Sequence, residues 1–317
     1  MMAENDLISL RLKGVSWHNE LVNSYEFVSA DGAHLPPFTA GAHVGLVLPV
    51  GERSYSLLND PSETHRYVLG IARERNGRGG SDYIHEQLKV GAVLMASPPK
   101  NLFPLHEGDA PALLIAGGIG ITPMLSMAAH MEALGRPWRL VYAVRGVEQE
   151  AFSSEISRWP GKVTVHRDKD AGGVLDLKKL VEEAAPETHF YCCGPGPMLA
   201  SYVEACASRP QENVHLERFS AELPPPVNSG GFEVVLAKSG KCIRVKEEQS
   251  ILQALEEAGV SAPRSCEQGI CGVCETRLLD GIPDHRDSLL SEQERSANNV
   301  IMICCSRALT PSLTLDL

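Results

Sequence analysis

Residues 265–274 read SCEQGICGVC and place Cys266, Cys271 and Cys274 within nine positions. Thiolates are soft donors that suit iron–sulfur clusters or zinc. Three of them on one loop are one short of a closed set. The chain holds nine cysteines, none before Cys192. An odd total argues against a disulfide framework, and clustering in a reducing compartment points to metal or redox chemistry. Cys192, Cys193, Cys206 and Cys242 lack ligand spacing and read as small buried apolar residues.

The C-x4-C-x2-C spacing is that of plant-type [2Fe–2S] ferredoxins, whose fourth cysteine arrives much later in the chain. Residues 275–303 separate Cys274 from Cys304, an interval of 29 that resembles the ferredoxin one, so Cys304 is the expected fourth ligand. Its neighbour Cys305 would point the other way if the two lie on a strand. Gly269 and Gly272 allow a tight loop that turns backbone N–H groups toward sulfide. Structural zinc is the alternative, but zinc sites usually pair two short knuckles.

Other segments suit phosphates and flat ligands. GGIGITPM at 117–124 follows an apolar strand and opens a helix, where free N–H groups favour a pyrophosphate. It offers Gly118 and Gly120 without the third glycine of the full fingerprint, so a plain strand–helix turn is also open. CCGPGPM at 192–198 supplies a second turn, with Gly194 and Pro195, which a parallel sheet would bring to the same edge. RSYSLLND sets Arg53 and Tyr55 on one strand face and Ser56 on the other. RERNGRGGSDYI adds Arg73, Arg75 and Arg78 ahead of Gly79, Gly80 and Ser81, joining positive charge to free N–H groups.

The elements that must position these residues fall into three segments. Residues 1–103 show short Val-, Leu- and aromatic-rich runs separated by turn residues, which predicts an antiparallel barrel or sandwich with one helix capped by Ser81. Residues 104–224 alternate strand and helix, which predicts a parallel α/β sheet, with Thr122 capping its first helix. Residues 225–317 predict an α+β ferredoxin domain: two strands, a helix at SILQALEEAG, the cysteine loop, and a closing strand pair near IMICC and LTLDL. ELPPPVNSGG at 222–231 reads as an interdomain linker. The net charge of −11 excludes a phosphate-neutralising surface for nucleic acid. No run approaches a membrane span, and MMAENDLISLRLKG is no signal peptide. A cytoplasmic protein is expected.

With these motifs in order, the chain resembles the phthalate dioxygenase reductase family over nearly its whole length. RSYSLLND, NGRGGS, GGIGITPM, CGPGPM, GICGVC, DHRD and CCSRA follow the family's sequence of motifs. The resemblance implies a flavin barrel, a nicotinamide-nucleotide domain and a C-terminal β-grasp ferredoxin. It implies FMN contacts from Arg53, Tyr55, Ser56, Arg73, Gly79, Gly80, Ser81 and Thr122, with Phe219 of HLERF over the ring. The alternative for Phe219 is a core residue of the last strand. NAD would meet Gly118, Gly120, Arg145, Cys193, Gly194, Pro195 and Met198, and Cys266, Cys271, Cys274 and Cys304 would hold the cluster. DHRD (Asp284–Asp287) would brace the cluster loop or cap the helix after it.

The implied activity follows from electron counting. NADH gives two electrons together, a cluster takes one, and a flavin converts between them. No catalytic acid or base is expected. The implied partner is a Rieske-type non-haem iron oxygenase, with the reductase itself a monomer. A haem-thiolate monooxygenase partner and a non-flavin iron–sulfur sensor are the rivals. NADH is expected over NADPH because VEQE follows the strand RLVYAVRG, although Arg145 and the HRDK at 166–169 keep NADPH open.

Overall fold

The computed structural model describes residues 7–74, 77–220, 225–227 and 230–317. Arg75 and half of the linker reading at 222–231, namely 222–224 and 228–229, lie outside them. The chain divides into two compact units, with the break in sequence between Phe219 and Ser220.

The first unit begins with six antiparallel strands: β1 (Ile8–Trp17), β2 (Val22–Ser29), β3 (His43–Leu48), β4 (Gly51–Ser56), β5 (Tyr67–Ala72) and β6 (Val93–Ala96). Helix α1 (Gly80–Glu86) lies between the last two. The strand order is β4-β3-β6-β1-β2-β5. Its two ends meet through an antiparallel bridge from Leu57 to Leu69, so the sheet curls onto itself. Inward residues such as Leu10, Leu12, Phe27, Val44, Leu46 and Leu69 are fully buried, which is the alternation a one-faced sheet demands.

The same unit continues as a parallel sheet: β7 (Ala112–Gly117), β8 (Trp138–Val144), β9 (Val163–Arg167), β10 (His189–Cys193) and β11 (Val214–Glu217). Its order is β11-β10-β7-β8-β9. Every residue of β7 and β10 is buried, as expected for strands covered on both faces. The covering helices are α2 (Ile121–Ala133), α3 (Ser153–Ile156), α4 (Asp168–Ala171), α5 (Leu177–Glu182) and α6 (Gly196–Ala205). One hydrophobic core takes in Ala40, Leu58 and Phe103 together with Met124, Met127 and Phe152. The barrel and the parallel sheet are therefore packed as one body. His18 stacks on Phe152 with ring centroids 4.2 Å apart, and the Phe152 N–H donates to His18 Nδ1 at 3.3 Å.

Two caps differ from expectation. Helix α2 starts after Gly120 and helix α1 after Gly79, so Thr122 and Ser81 lie inside the helices. In both cases a glycine occupies the cap and leaves the first N–H groups without a side-chain acceptor.

The second unit holds β12 (Phe232–Leu236), β13 (Cys242–Val245), α7 (Ile251–Glu257), β14 (Glu275–Asp280), β15 (Pro283–Asp284), α8 (Glu292–Ala297), β16 (Val300–Met302), β17 (Arg307–Ala308) and β18 (Ser312–Leu315). The main sheet runs β13-β12-β18-β14-β16. The strands at IMICC and LTLDL are not partners, since β14 lies between β16 and β18. Helices α7 and α8 each begin with a complete capping box, Ser250 with Gln253 and Ser291 with Glu294. Cys192, Cys193 and Cys206 are buried as expected, but Cys242 is exposed on the edge strand β13.

Candidate functional site

The four candidate cluster cysteines come from a loop and a distant turn. Cys266, Cys271, Cys274 and Cys304 are all buried. Cys266 faces Cys271 and Cys304, and Cys304 also faces Cys274. Hydrogen bonds from Cys271 and Cys304 push the Cys266 thiol down to about 2, and the same contacts push those two partners up. Sulfurs this close share protons that bound metal would replace. The Gln268 N–H donates to Cys266 Sγ at 3.3 Å and the Cys266 N–H to Cys271 Sγ at 3.5 Å. These donors suit thiolate charge. Among the described residues no group of three or more His, Cys, Asp or Glu side chains is arranged for a single metal ion. The fit to a cluster thus rests on the convergence of sulfurs and N–H donors.

Cys304 and Cys305 lie on the turn after β16 and not on a strand, so strand alternation does not separate them. Their surroundings do. Cys305 Sγ points to Met302 O at 3.7 Å and sits where a Cβ on Gly269 would come within 2.5 Å. Gly269 also abuts the Asp287 backbone, and both Gly269 and Gly272 have positive φ. DHRD holds this arrangement. The Ser288 N–H donates to Gly269 O at 3.0 Å, and Arg286 Nη1 donates to Cys305 O at 3.3 Å. Asp287 Oδ2 accepts from the Leu289 and Leu290 N–H groups at 3.1 and 2.9 Å. Asp284 Oδ2 accepts from the Val227 N–H at 3.0 Å. The motif both braces the loop and orders the chain leading to α8. A cavity of about 500 Å³ opens beside Cys304 and Cys305, lined by Glu247, Glu248, Glu267 and Arg286 among others.

In the first unit the two glycine turns converge at the carboxyl edge of the parallel sheet. A Cβ on Gly117 would meet Met198 Sδ at 2.6 Å and Pro195 Cδ at 2.8 Å, and one on Gly120 would strike the Cys193 carbonyl. Gly118, at φ +55°, faces open space. That leaves bare main chain ahead of α2 and α6, a cradle suited to a pyrophosphate. Cys193 contributes its carbonyl; its thiol is fully buried. Arg145 is exposed at the end of β8.

On the barrel, Arg53 Nη2 donates to Arg78 O at 3.0 Å, and the Arg53 side chain lies where a Cβ on Gly80 would be. Gly79 has φ +78°. The β4 strand and the 77–81 loop are therefore locked together, with the main chain at Gly79 and Gly80 stripped of side chains. Ser81 Oγ accepts from the Glu74 N–H at 3.0 Å. Ser56 is buried, and burial pushes the Tyr55 phenol up. Arg73 is held by Asp82 at 2.7 Å and by Glu86, which leaves its charge neutralised. Thr122 donates to Ile119 O at 3.1 Å and turns its methyl to Gly70. Phe219 lies beyond β11 with its ring 39% exposed, so it is not a core residue.

Glu217, two residues before Phe219, was not singled out from sequence. It ends β11 beside Cys193, its Oε2 is buried with no hydrogen-bond partner among the described residues, and burial pushes its carboxyl up to about 8. Its place in HLERF, at the strand end beside the CCGPGPM turn, was the available signal.

Comparison with known proteins agrees with this layout. Residues 234–309 match the 2Fe-2S iron-sulfur cluster binding domain and residues 114–204 the oxidoreductase NAD-binding domain. The phenoxybenzoate dioxygenase subunit beta of Ectopseudomonas oleovorans is 45% identical over 311 residues, covering 98% of this chain and 97% of that one. An intact type IV self-sufficient cytochrome P450 monooxygenase matches 98% of this chain with TM-score 0.85 and 37% identity, across 41% of its own length. The structure of phthalate dioxygenase reductase, a modular electron-transfer protein from pyridine nucleotides to [2Fe-2S], matches with TM-score 0.79 and 38% identity over 99% of both chains. With its motifs, its sheets and these likenesses in agreement, the chain belongs to the phthalate dioxygenase reductase family.

Proposed function

We propose that this chain takes electrons from NADH through FMN to a [2Fe–2S] cluster and delivers them to a Rieske-type oxygenase component. The observation that carries the reading is the convergence of Cys266, Cys271, Cys274 and Cys304, with Cys305 turned to Gly269. When bound, the flavin supplies the conversion between two-electron and one-electron transfer. The chain's own residues do the positioning. Arg53 and the bare main chain of Gly79, Gly80 and Ser81 would receive the flavin phosphate, Tyr55 and Ser56 would flank the ring, and the exposed Phe219 ring is suited to cover a flat ligand. Gly118, Gly120, Gly194 and Pro195 offer N–H groups and space to a pyrophosphate. Electron transfer needs no general acid, so orientation and charge around each recess are what the protein contributes. Glu247, Glu248 and Glu267 beside Cys304 favour a partner with a basic face.

The test uses the purified full chain. Cys304→Ser should lose the cluster's iron and sulfide while NADH still bleaches the flavin, and Cys305→Ser should keep both. The reverse pattern would sink the ligand assignment. FAD in place of FMN after denaturation would overturn the flavin choice. The likeness to a self-sufficient P450 supports a second reading, in which the acceptor is a haem-thiolate monooxygenase. Reconstitution with each class of oxygenase decides between them by product formed per NADH consumed.

A further inference from the structure

Three non-glycine residues among those described have positive φ: Phe152, Glu267 and Asn298. Glu267 is exposed and Asn298 partly so, and asparagine enters this region readily. Phe152 is fully buried, at φ 60° and ψ 29°. A bulky side chain holds such a conformation only where its surroundings impose it.

The tip of the β1–β2 hairpin imposes it. His18 Nδ1 accepts from the Phe152 N–H at 3.3 Å, and the imidazole stacks on the Phe152 ring. Since Nδ1 is an acceptor, the ring proton sits on Nε2, which donates to Ser24 Oγ at 3.0 Å. Burial holds the imidazole below its usual range against the charge of Glu155, so it is neutral at pH 7 and Nδ1 keeps its lone pair. The tip is itself stiff. Asn19 Oδ1 accepts from the Leu21 and Val22 N–H groups, each at 3.0 Å, and Asn19 Nδ2 donates to Glu150 O at 3.2 Å. From the other side, the Ala151 N–H donates to the Tyr142 hydroxyl of β8 at 3.3 Å. Residues 150–152 are thus gripped between the barrel hairpin and the parallel sheet.

The far end of the Phe152 ring carries this grip to the site. A Cβ on Gly70 of β5 would lie 2.5 Å from Thr122 Cγ2, 2.6 Å from Phe152 Cζ and 3.1 Å from Leu58 Cδ2. Three side chains therefore meet over bare main chain. Leu58 comes two residues after Ser56, and Thr122 two after Gly120. The ring is a spacer between the strand end read as the flavin's and the turn read as the nucleotide's. We infer that His18 is a positioning residue for hydride transfer, holding Phe152 so that its ring fixes the spacing between the barrel and the start of α2. The inference rests on the reductase reading and adds a residue whose own partners, Ser24 and Phe152, belong to neither recess. Transfer between held reactants falls steeply with misplacement.

The test uses two variants of the purified full chain. His18→Asn keeps an acceptor where Nδ1 lies and loses the Ser24 bond, whereas His18→Gln can replace Nε2 but leaves the Phe152 N–H without an acceptor. Amide exchange at residues 150–153, which needs no nucleotide, should quicken in His18→Gln by about 3- to 10-fold, the net effect of one hydrogen bond. In the same variant the single-turnover rate constant for flavin reduction at saturating NADH should fall by about 10- to 100-fold, with the apparent Kd for NADH changed by less than about threefold. His18→Asn should stay within about threefold of the wild type in both readouts. Equal losses in the two variants, unfolding of both, or no change in either readout would overturn the inference and leave the reductase reading intact. So would faster exchange with an unchanged rate constant, or a loss confined to the Kd for NADH. A wild-type chain whose flavin NADH does not reduce would overturn the reductase reading and this inference with it.

Discussion

Gly269 and Gly272 sit three residues apart in the cysteine loop with nearly equal φ, +69° and +71°, yet their surroundings differ. Replacing either with alanine forces an L-residue into the left-handed region, at about 1–2 kcal/mol. Lower freedom of the unfolded chain returns about 0.4–1 kcal/mol. At Gly272 that is the whole effect, because the nearest atom to a new Cβ is Leu289 Cδ1 at 3.7 Å, an ordinary contact. At Gly269 the Cβ would lie 2.5 Å from Cys305 Sγ and 2.9 Å from Asp287 Cα. Neither can retreat freely, since Asp287 accepts from Leu289 and Leu290 and the Cys305 carbonyl accepts from Arg286. Overpacking of this kind costs about 1–3 kcal/mol more.

Gly272→Ala should therefore lose about 1 kcal/mol and Gly269→Ala about 2–4 kcal/mol. Denaturant unfolding followed by the cluster's visible absorbance reads both values. Iron and sulfide per chain give an independent measure, with Gly269→Ala isolated depleted and Gly272→Ala near full. Equal destabilisation would refute the argument, because it would leave backbone conformation as the only cause and remove the close approach of DHRD to the loop.

Two pH predictions run in opposite directions. The Glu217 carboxyl is raised in the fold, so it is protonated there while ionised in the unfolded chain between about 4.5 and 8, and stability falls as pH rises through that window. Glu217→Gln should raise Tm at pH 8 and leave it nearly unchanged at pH 4; a gain independent of pH would contradict this. His215 is pushed down to about 4, first by burial and then by His189 and His106, and its Nε2 meets His189 Nδ1 at 3.1 Å. The unfolded chain binds the extra proton between about 6.5 and 4, so stability is full above 6.5 and is lost as pH falls toward 4. After discounting for the solvent reaching His215, the loss is about 1–2 kcal/mol. His215→Gln should flatten the acid limb of a Tm–pH curve, and an unaltered limb would assign it to other groups.

What the sequence made legible follows from how local each signal is. The parallel sheet was readable because β7 and β10 are continuous apolar runs next to helical periodicity. Strand β14 was not readable. Its sequence ETRLLD exposes Glu275, Arg277, Leu279 and Asp280 and buries only Thr276 and Leu278, so its hydrophobic alternation is two residues deep. The pair β15–β17 has two residues on each side, and it is held from a distance by Arg307, anchored to the Gln249, Gly230 and Lys246 carbonyls. The caps at Thr122 and Ser81 failed for a different reason. Hydroxyl residues are the usual caps, but Gly120 and Gly79 take the position, where bare N–H groups serve an anionic ligand better than a side-chain acceptor would.

The same contrast explains why the cluster site is the least local part of the molecule. Its sulfurs come from a loop at 266–274 and a turn at 304. The loop has two glycines at positive φ and little regular structure, so it has no propensity of its own to hold three thiols together. What positions it is a third segment, 284–290, whose backbone closes on Gly269 while Arg286 ties it to the turn at Cys305. Closure is thus entirely tertiary. A cluster bound by Cys266, Cys271, Cys274 and Cys304 would join two of the three segments covalently, so its binding free energy would add to the folding free energy of this unit. Substitutions in DHRD should in consequence act on cluster retention before they act on the flavin and nucleotide unit, whose buried core of Met124, Met127 and Phe152 shares no residue with them.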